Sequence, residues 1–506
     1  MGIKSLLARP LAAIIYSRVR QDAAHACDDQ QRILKHLVAR ASKTAFGKDH
    51  QFDKIVDYDS FKKYVPIRDY EGLRNYVDQV VAGAENILWP GKPIYFAKTS
   101  GTTSGSKYIP ITKESIPFHI NSARNALMCY IAQTGKSRFV DGKLIFLSGS
   151  PELETINGIL TGRLSGIVNH HVPGYLRSNQ MPSYQTNCID DWEQKVDAIV
   201  SETVHQPMTL ISGIPPWVQM YFDKLLEKSG KKYIHQLFDQ FNLMVYGGVN
   251  FEPYRAKLES TIGRKIHTIE TYPASEGFIA YQDTAYDRND KGLLLLTNNN
   301  IFYEFVQADT FYSDQPKRIS LNDVELGVNY VLIMNTNAGL WGYNIGDTIK
   351  FVSKDPYRIL VTGRIKHFIS AFGEHVIAEE VEYALMTAAQ EFNLSVIEFT
   401  VAPQVTPQDA PLPYHEWFVE FDQIPESMTV FANRVDELLR AKNSYYDDLR
   451  KGNILQLLKL RAMPNATFIS YMKSEGKLGG QNKLPRLSND RKLCSHQAFS
   501  KFIASS

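Results

Sequence analysis

Cysteine is scarce in this chain. Four occur in 506 residues (Cys27, Cys129, Cys188 and Cys494), scattered and never as Cys-x-x-Cys. That pattern indicates neither a zinc site nor a disulfide framework, and it points to reduced thiols in a cytoplasmic protein. An excess of charge of one sign is missing as well. The 56 Lys and Arg nearly balance the 54 Asp and Glu, for a formal net charge of +2. Bulk charge therefore gives no argument for a nucleic-acid partner or an anionic surface. Long apolar runs are also absent near the N-terminus. Leu11-Ala12-Ala13-Ile14-Ile15-Tyr16 falls far short of the roughly 20 residues that a membrane span needs. It lacks a convincing signal-peptide cleavage site. With Lys4, Arg9, Arg18 and Arg20 around it, the segment is expected to form an amphipathic helix packed on the body, with peripheral membrane contact as the second reading. No Gly-x-Ser-x-Gly elbow occurs, which argues against a serine hydrolase. Repeats and low-complexity tracts are absent too.

What is present is ordinary globular composition, 44% hydrophobic and 22% charged, in a chain long enough for two or more domains. Ile33, Leu34, Leu37, Val38 and Ala41 share one helical face. Helix starts are expected at Asp59-Ser60-Phe61 and Ile67-Arg68-Asp69-Tyr70. From Leu144 onward, short apolar runs alternate with amphipathic stretches. Runs at 144–147, 208–211 and 243–246 end at Ser148-Gly149-Ser150, Ser212-Gly213 and Gly247-Gly248, and a fourth, 265–269, ends at a turn around Tyr272. Helical patterns fall at 190–202 and 218–228. Strands alternating with helices predict an α/β domain with mostly parallel sheets. Ligands in such sheets lie beyond the carboxyl ends of the strands. Apolar runs at 293–296, 302–305 and 330–334 have short links and predict a more antiparallel, barrel-like subdomain. The polar break Ser353-Lys354-Asp355-Pro356 reads as a hinge. It divides an N-terminal domain, 1–355, from a smaller mobile α+β C-terminal domain, 356–506.

Three motifs carry chemistry. The first is Lys98-Thr99-Ser100-Gly101-Thr102-Thr103-Ser104-Gly105-Ser106-Lys107, after the strand-like 93–97. Glycine allows close backbone approach, and the hydroxyls and N–H groups can donate to anionic oxygen. Polyphosphate binding and an ordinary flexible loop are both open from this run alone. It is not a Walker loop, because Ser106 stands where the second glycine belongs. The second motif is Thr271-Tyr272-Pro273-Ala274-Ser275-Glu276-Gly277, where a carboxylate can hold Mg²⁺ against phosphate oxygens and Tyr272 can stack on a base. The third is Gly339-Leu340-Trp341-Gly342-Tyr343-Asn344-Ile345-Gly346-Asp347. Its aspartate is either a ligand-free turn residue or an acceptor for two ribose hydroxyls. Two look-alikes are set aside. His235 to Asp239 imitates an acyltransferase motif but reads as a helical surface pair, and the neighbours His170 and His171 should point apart.

In this order the motifs resemble those of the acyl-adenylate-forming enzymes, and within them the plant auxin-responsive (Gretchen Hagen) family of acyl acid–amido synthetases and its bacterial relatives. The family's Thr-Ser-Gly-Thr-Ser/Thr run is matched at 99–103, its Tyr-x-x-Ser-Glu at Tyr272, Ser275 and Glu276, and its Tyr-Arg-x-Gly-Asp at Tyr343, Gly346 and Asp347. Its C-terminal Gln-Tyr-Lys-x-Pro-Arg is matched by Gln481, Lys483, Pro485 and Arg486. Asn344 replaces the motif arginine, with Arg364 as the stand-in, and residues 148–175 do not look like the plant sequences, so the acyl substrate is not carried over.

The resemblance implies ATP and Mg²⁺ as cofactors. A carboxylic acid would be adenylated to acyl-AMP with release of pyrophosphate, then passed to an amine such as an amino acid. It further implies that Ser100, Gly101, Thr102, Thr103 and Ser104, with Thr99, hold the phosphates. Glu276 would hold Mg²⁺, with Ser275 beside it. Gly248, Val249 and Tyr272 would line the adenine pocket, Asp347 the ribose, and Lys483 would reach the reacting phosphate. Ser148, Ser150 and His171 are candidates for the acyl site. The alternatives are an acyl–coenzyme A ligase and a nucleotide-binding protein whose catalysis has decayed. Neither the acid, the amine nor the oligomeric state is legible.

Overall fold

A computed structural model describes residues 2–494, apart from 100–106, 190, 249–250, 288–290, 309, 312, 314, 366–367, 370, 373, 375, 475–485, 489–490 and 492. The chain forms two compact units: Met1–Thr99, Ser106–Gly248 and Ala256–Ile365 in the first, and Ser100–Gly105, Val249–Arg255 and Lys366–Ser506 in the second.

The first unit is built on a twelve-stranded sheet. One part is parallel, with Gln180–Met181, Lys143–Phe146, Met208–Ser212, Leu243–Gly247 and His267–Ala274 side by side. Parallel neighbours need crossovers, and the amphipathic helices Trp192–Thr203, Pro215–Ser229 and Glu252–Ile262 lie between those strands in sequence. The sheet then runs on antiparallel through Gly277–Tyr281, Leu293–Leu295, Tyr357–Arg364, Tyr343–Lys354, Asn329–Thr336, Ile301–Gln307 and Arg318–Ile319. The antiparallel strands expected beyond residue 293 are therefore present, as a continuation of the same sheet. A smaller sheet carries Lys107–Ile111, Tyr95–Thr99, Ile159–Gly162 and Glu154–Ile156.

The helix Ala26–Ala41 buries the face expected for it, Ile33, Leu34, Leu37, Val38 and Ala41. It also buries Gln30, which costs little because its amide is satisfied. Gln30 donates to the Thr297 and Ile301 carbonyls and accepts from Tyr303 N, each at 2.8 Å. The first expected helix start appears one residue earlier, at Tyr58 capped by Asp57, and the second lies where expected, at Tyr70 capped by Asp69. The second unit is α+β, as expected. Val396–Gln404, Tyr414–Phe421 and Lys459–Met463 form its three-stranded sheet beside the helices Ala378–Glu391 and Met428–Lys442.

The break read as a hinge is a different thing. Lys354 pairs with Tyr357, so 353–356 turns a β-hairpin inside the first unit, and the two units part at 365–366 rather than 355–356. A proline-containing hairpin turn has the same polar composition as a linker, and long-range pairing alone tells them apart. His235 also differs. It lies in a short 3₁₀ turn, Ile234–Gln236, and its Nδ1 donates to the Ile262 carbonyl at 2.8 Å.

One buried group makes this unit acid-sensitive. His119, on the helix Ile116–Thr134, is 4% exposed and its Nδ1 finds no partner. Burial pushes its pKa from 6.5 down to about 4. The unfolded chain therefore takes up a proton first as pH falls, so stability is full above pH ~6.5 and is lost between ~6.5 and ~4, by about 3 kcal/mol. Urea unfolding at pH 7 and 4.5 should show a smaller acid loss in His119→Leu than in the wild type. Equal losses would show that His119 does not titrate on unfolding.

Candidate active site

Strand register brings the second and third motifs together. Tyr272 sits inside the strand His267–Ala274, not at a turn after it, and the turn proper is Ser275-Glu276, with Ala274 paired to Gly277. Asp347 likewise lies within the strand Tyr343–Lys354, opposite Arg364. A bulge makes room for this. Gly346 has φ +89°, a conformation that other L-residues resist, and its carbonyl accepts from Ile365 N at 2.8 Å. The Tyr272 hydroxyl then donates to Asp347 Oδ2 at 2.5 Å. Tyr272 is buried and Asp347 half-buried, so this charge-assisted bond fixes the carboxylate's direction. Gly248 follows the strand Leu243–Gly247, whose last residue pairs with Thr271, beside Tyr272.

The rest of the third motif is scaffold. Trp341 is fully buried, stacks 6.0 Å from Phe46 and donates Nε1–H to the Leu88 carbonyl at 3.1 Å. Asn344 is buried, and its Oδ1 accepts from Gly346 N at 2.8 Å, which holds the bulge beside Asp347. Arg68 N donates to the Gly342 carbonyl at 2.8 Å and Asn344 N to the Arg68 carbonyl at 2.7 Å, which docks residues 66–69 along the motif. The Arg68 guanidinium turns to His50 Nε2 at 3.0 Å and the Phe46 ring.

Ser275 and Glu276 are half-buried in their two-residue turn. Among the described residues no group of three or more His, Cys, Asp or Glu forms a metal cage. A single carboxylate still fits Mg²⁺, which commonly keeps waters and rides on substrate phosphates. Thr99 pairs with Lys107, so these two bracket the first motif. Lys98 does not bring free charge there, because its Nζ is 3.0 Å from Glu154 Oε1. Lys107 Nζ lies 5.6 Å from the centre of the Tyr70 ring. Ser100, Gly101, Thr102, Thr103, Ser104, Val249 and Lys483 lie outside the described residues. Arg364 is placed by its strand alone.

Of the three acyl-site candidates, Ser148 and Ser150 follow the strand Lys143–Phe146, whereas His171 faces Tyr95 of the smaller sheet. Ser148 Oγ accepts from Asn187 Nδ2 at 3.3 Å. Ser150 Oγ accepts from Glu152 N at 3.2 Å. His171 Nε2 is 3.0 Å from the Tyr95 hydroxyl, while His170 Nε2 donates to the Pro151 carbonyl at 2.7 Å, so the two rings diverge at a helix end. Burial, then the neighbouring His170, lowers the His171 pKa. Sequence reasoning missed Lys195. It is buried on the helix Trp192–Thr203, and its Nζ donates to the Ser148 carbonyl at 3.1 Å and the Asn187 carbonyl at 2.6 Å, pinning this exit. A lysine on the buried side of an amphipathic helix was the available signal.

Family models decide the relationship. The GH3 family N-terminal domain matches residues 15–185, the GH3 family central domain 294–364 and the GH3 family C-terminal domain 379–492, together well over half of the chain. The chain belongs to the GH3 family. It is 21% identical over 540 residues to an indole-3-acetic acid-amido synthetase, GH3.3 of Arabidopsis thaliana, covering 90% of this chain and 88% of that one. It is 21% identical to the jasmonoyl–L-amino acid synthetase JAR4 of Nicotiana attenuata, covering 94% of each. Among solved structures, the AtGH3.15 acyl acid amido synthetase in complex with 2,4-DB superposes with a TM-score of 0.61 at 15% identity, covering 96% of this chain and 95% of that one. This GH3 chain therefore has the mixed α/β fold expected of it.

Proposed function

We propose that this GH3 member is an ATP-dependent acyl acid–amido synthetase. A carboxylate oxygen attacks the α-phosphorus of ATP, the bond to the bridging oxygen breaks, and pyrophosphate leaves. The acyl carbon of the resulting acyl-AMP is then attacked by an amine, which loses a proton as AMP departs. The observation that carries the reading is the Tyr272–Asp347 hydrogen bond at 2.5 Å, which joins two residues of separate motifs, 75 apart in sequence, within one sheet. GH3 relatives named an indole-3-acetic acid-amido synthetase and a jasmonoyl–L-amino acid synthetase, matched along nearly their whole length, support it.

Asp347 accepts both ribose hydroxyls, and Tyr272 holds that carboxylate while its ring, with Gly248 and Val249, lines the adenine pocket. Thr99, the hydroxyls and N–H groups of 100–104, Thr102 among them, and Ser275 hold phosphate oxygens. Glu276 would hold Mg²⁺, which would supply neutralisation of phosphate charge. Arg364 and Lys483 add positive charge, Lys483 at the α-phosphate, where catalysis is positioning plus electrostatics. Ser148, Ser150 and His171 orient the acid. The C-terminal unit carries Lys483 and moves between the half-reactions. With its four free thiols, the protein works in the cytoplasm. Among the described residues no helix is long and apolar enough to cross a membrane.

Lys483→Ala should lower acid-dependent pyrophosphate release by about 10³-fold while ATP affinity changes less than about threefold. Unchanged release would remove Lys483 from the mechanism. The function is tested by mass analysis of products from ATP, a panel of aryl and alkyl acids, and either amino acids or coenzyme A. An amide is expected, whereas a thioester would make the chain an acyl–coenzyme A ligase.

A further inference from the structure

The N-terminal helix Ile3–Ala24 packs the wrong way round for an ordinary surface helix. Its inward face is mostly small, Ser5, Ala8, Ala12, Ile15 and Val19, and it lies close against the helix Ile116–Thr134. Its large aliphatics point out instead. Ile3 is 79% exposed, Leu6 62%, Leu7 64%, Leu11 44% and Ile14 62%. At 100° per residue these five share one stripe about 16 Å long, opposite the packed face. Single exposed aliphatics are normal, but a contiguous row of five is a patch that needs an occupant.

The charge around the stripe selects that occupant. The helix Ile3–Ala24 carries Lys4, Arg9, Arg18 and Arg20 against a single acidic residue, Asp22, which lies near Arg18, in a chain whose overall charge is +2. Arg9, Arg18 and Arg20 are exposed. Arg9 hydrogen-bonds the Gly135 carbonyl and the Ser137 hydroxyl, both neutral groups. A second copy of the same face would oppose basic side chains to basic side chains. An anionic phospholipid surface complements them while taking up the aliphatics. The helix is also held in place as a rigid edge. Asp141 accepts from Gly2 N at 2.8 Å and from Ser5 N at 3.1 Å, and a Cβ on Gly2 would lie 2.4 Å from that carboxylate.

We infer that this outward face of Ile3–Ala24 docks the protein on anionic membranes, lying in the interface without spanning it. The inference stands apart from the catalytic reading. Co-sedimentation tests it with the full chain and vesicles of phosphatidylcholine, alone or with about one-third phosphatidylserine. Binding should be at least about tenfold stronger to the anionic vesicles and should weaken with salt. The pair Leu6→Glu and Leu7→Glu should abolish it, and Arg18→Glu with Arg20→Glu should reduce it several-fold, with unchanged circular dichroism and thermal midpoint. No binding to anionic vesicles, or equal binding to both, would overturn the inference. So would a stable dimer by light scattering that the two leucine substitutions dissociate, since that makes a second copy the occupant.

Discussion

Asp347→Ala should lower acid-dependent ATP–pyrophosphate exchange by about a hundredfold or more, through loss of two charge-assisted hydrogen bonds to ribose at roughly 1.5–3 kcal/mol each. The carboxylate stands in a strand and is aimed by the bulge at Gly346 and by the Tyr272 hydroxyl at 2.5 Å. Because Tyr272 acts on ribose through Asp347, Tyr272→Phe should cost less, about tenfold, mainly in KM for ATP. Combining Tyr272→Phe with Asp347→Ala should add little to Asp347→Ala alone, because the tyrosine's partner is already gone. Thermal midpoints should stay within a few degrees. Full exchange in Asp347→Ala, or strictly additive losses in the double variant, would separate the two residues from a shared nucleotide contact.

Arg318→Met should destabilise the first unit by about 3–5 kcal/mol, because it strands a buried carboxylate. Glu304 is 0% and Arg318 8% exposed at the side chain. Their bond is bidentate, at 2.9 and 2.7 Å, and Asn335 Nδ2 adds a third contact to Glu304 at 2.9 Å. Arg318 also donates to the Val65 carbonyl. The pair thus ties the strand Ile301–Gln307 to the segment leading into Arg68, which docks on the third motif. Replacing both partners, Glu304→Leu with Arg318→Met, should recover most of the loss, since apolar groups need no partner. Urea unfolding of the three variants checks this. A double variant as unstable as Arg318→Met would show that the loss comes from packing around the arginine and not from the stranded charge.

Local period and turn chemistry were enough to read the helix Ala26–Ala41, the parallel strands with their Gly and Ser exits, and the α+β character of the C-terminal unit. These signals lie within one element. Features that depend on distant partners were not legible. Tyr272 and Asp347 look like turn residues because Pro273 and Gly346 flank them, and only strand register shows both in one sheet. Residues 353–356 look like a linker because nothing local reveals that Lys354 faces Tyr357. Lys98 looks like a free cation until Glu154, 56 residues on, comes alongside. The N-terminal helix is apolar on two faces, so periodicity could not say which one packs. The basic side chains beside its outward stripe disappear into a nearly neutral total.

The account rests on the adenylation of a carboxylic acid at the site made by Tyr272 and Asp347. Acid-dependent exchange of labelled pyrophosphate into ATP, run across aryl and alkyl acids with Mg²⁺, measures that step alone. The account predicts exchange that requires an acid and falls at least about a hundredfold in Asp347→Ala. Tight ATP binding without exchange for any acid, or exchange that is indifferent to acid, would contradict it and leave a nucleotide-binding protein.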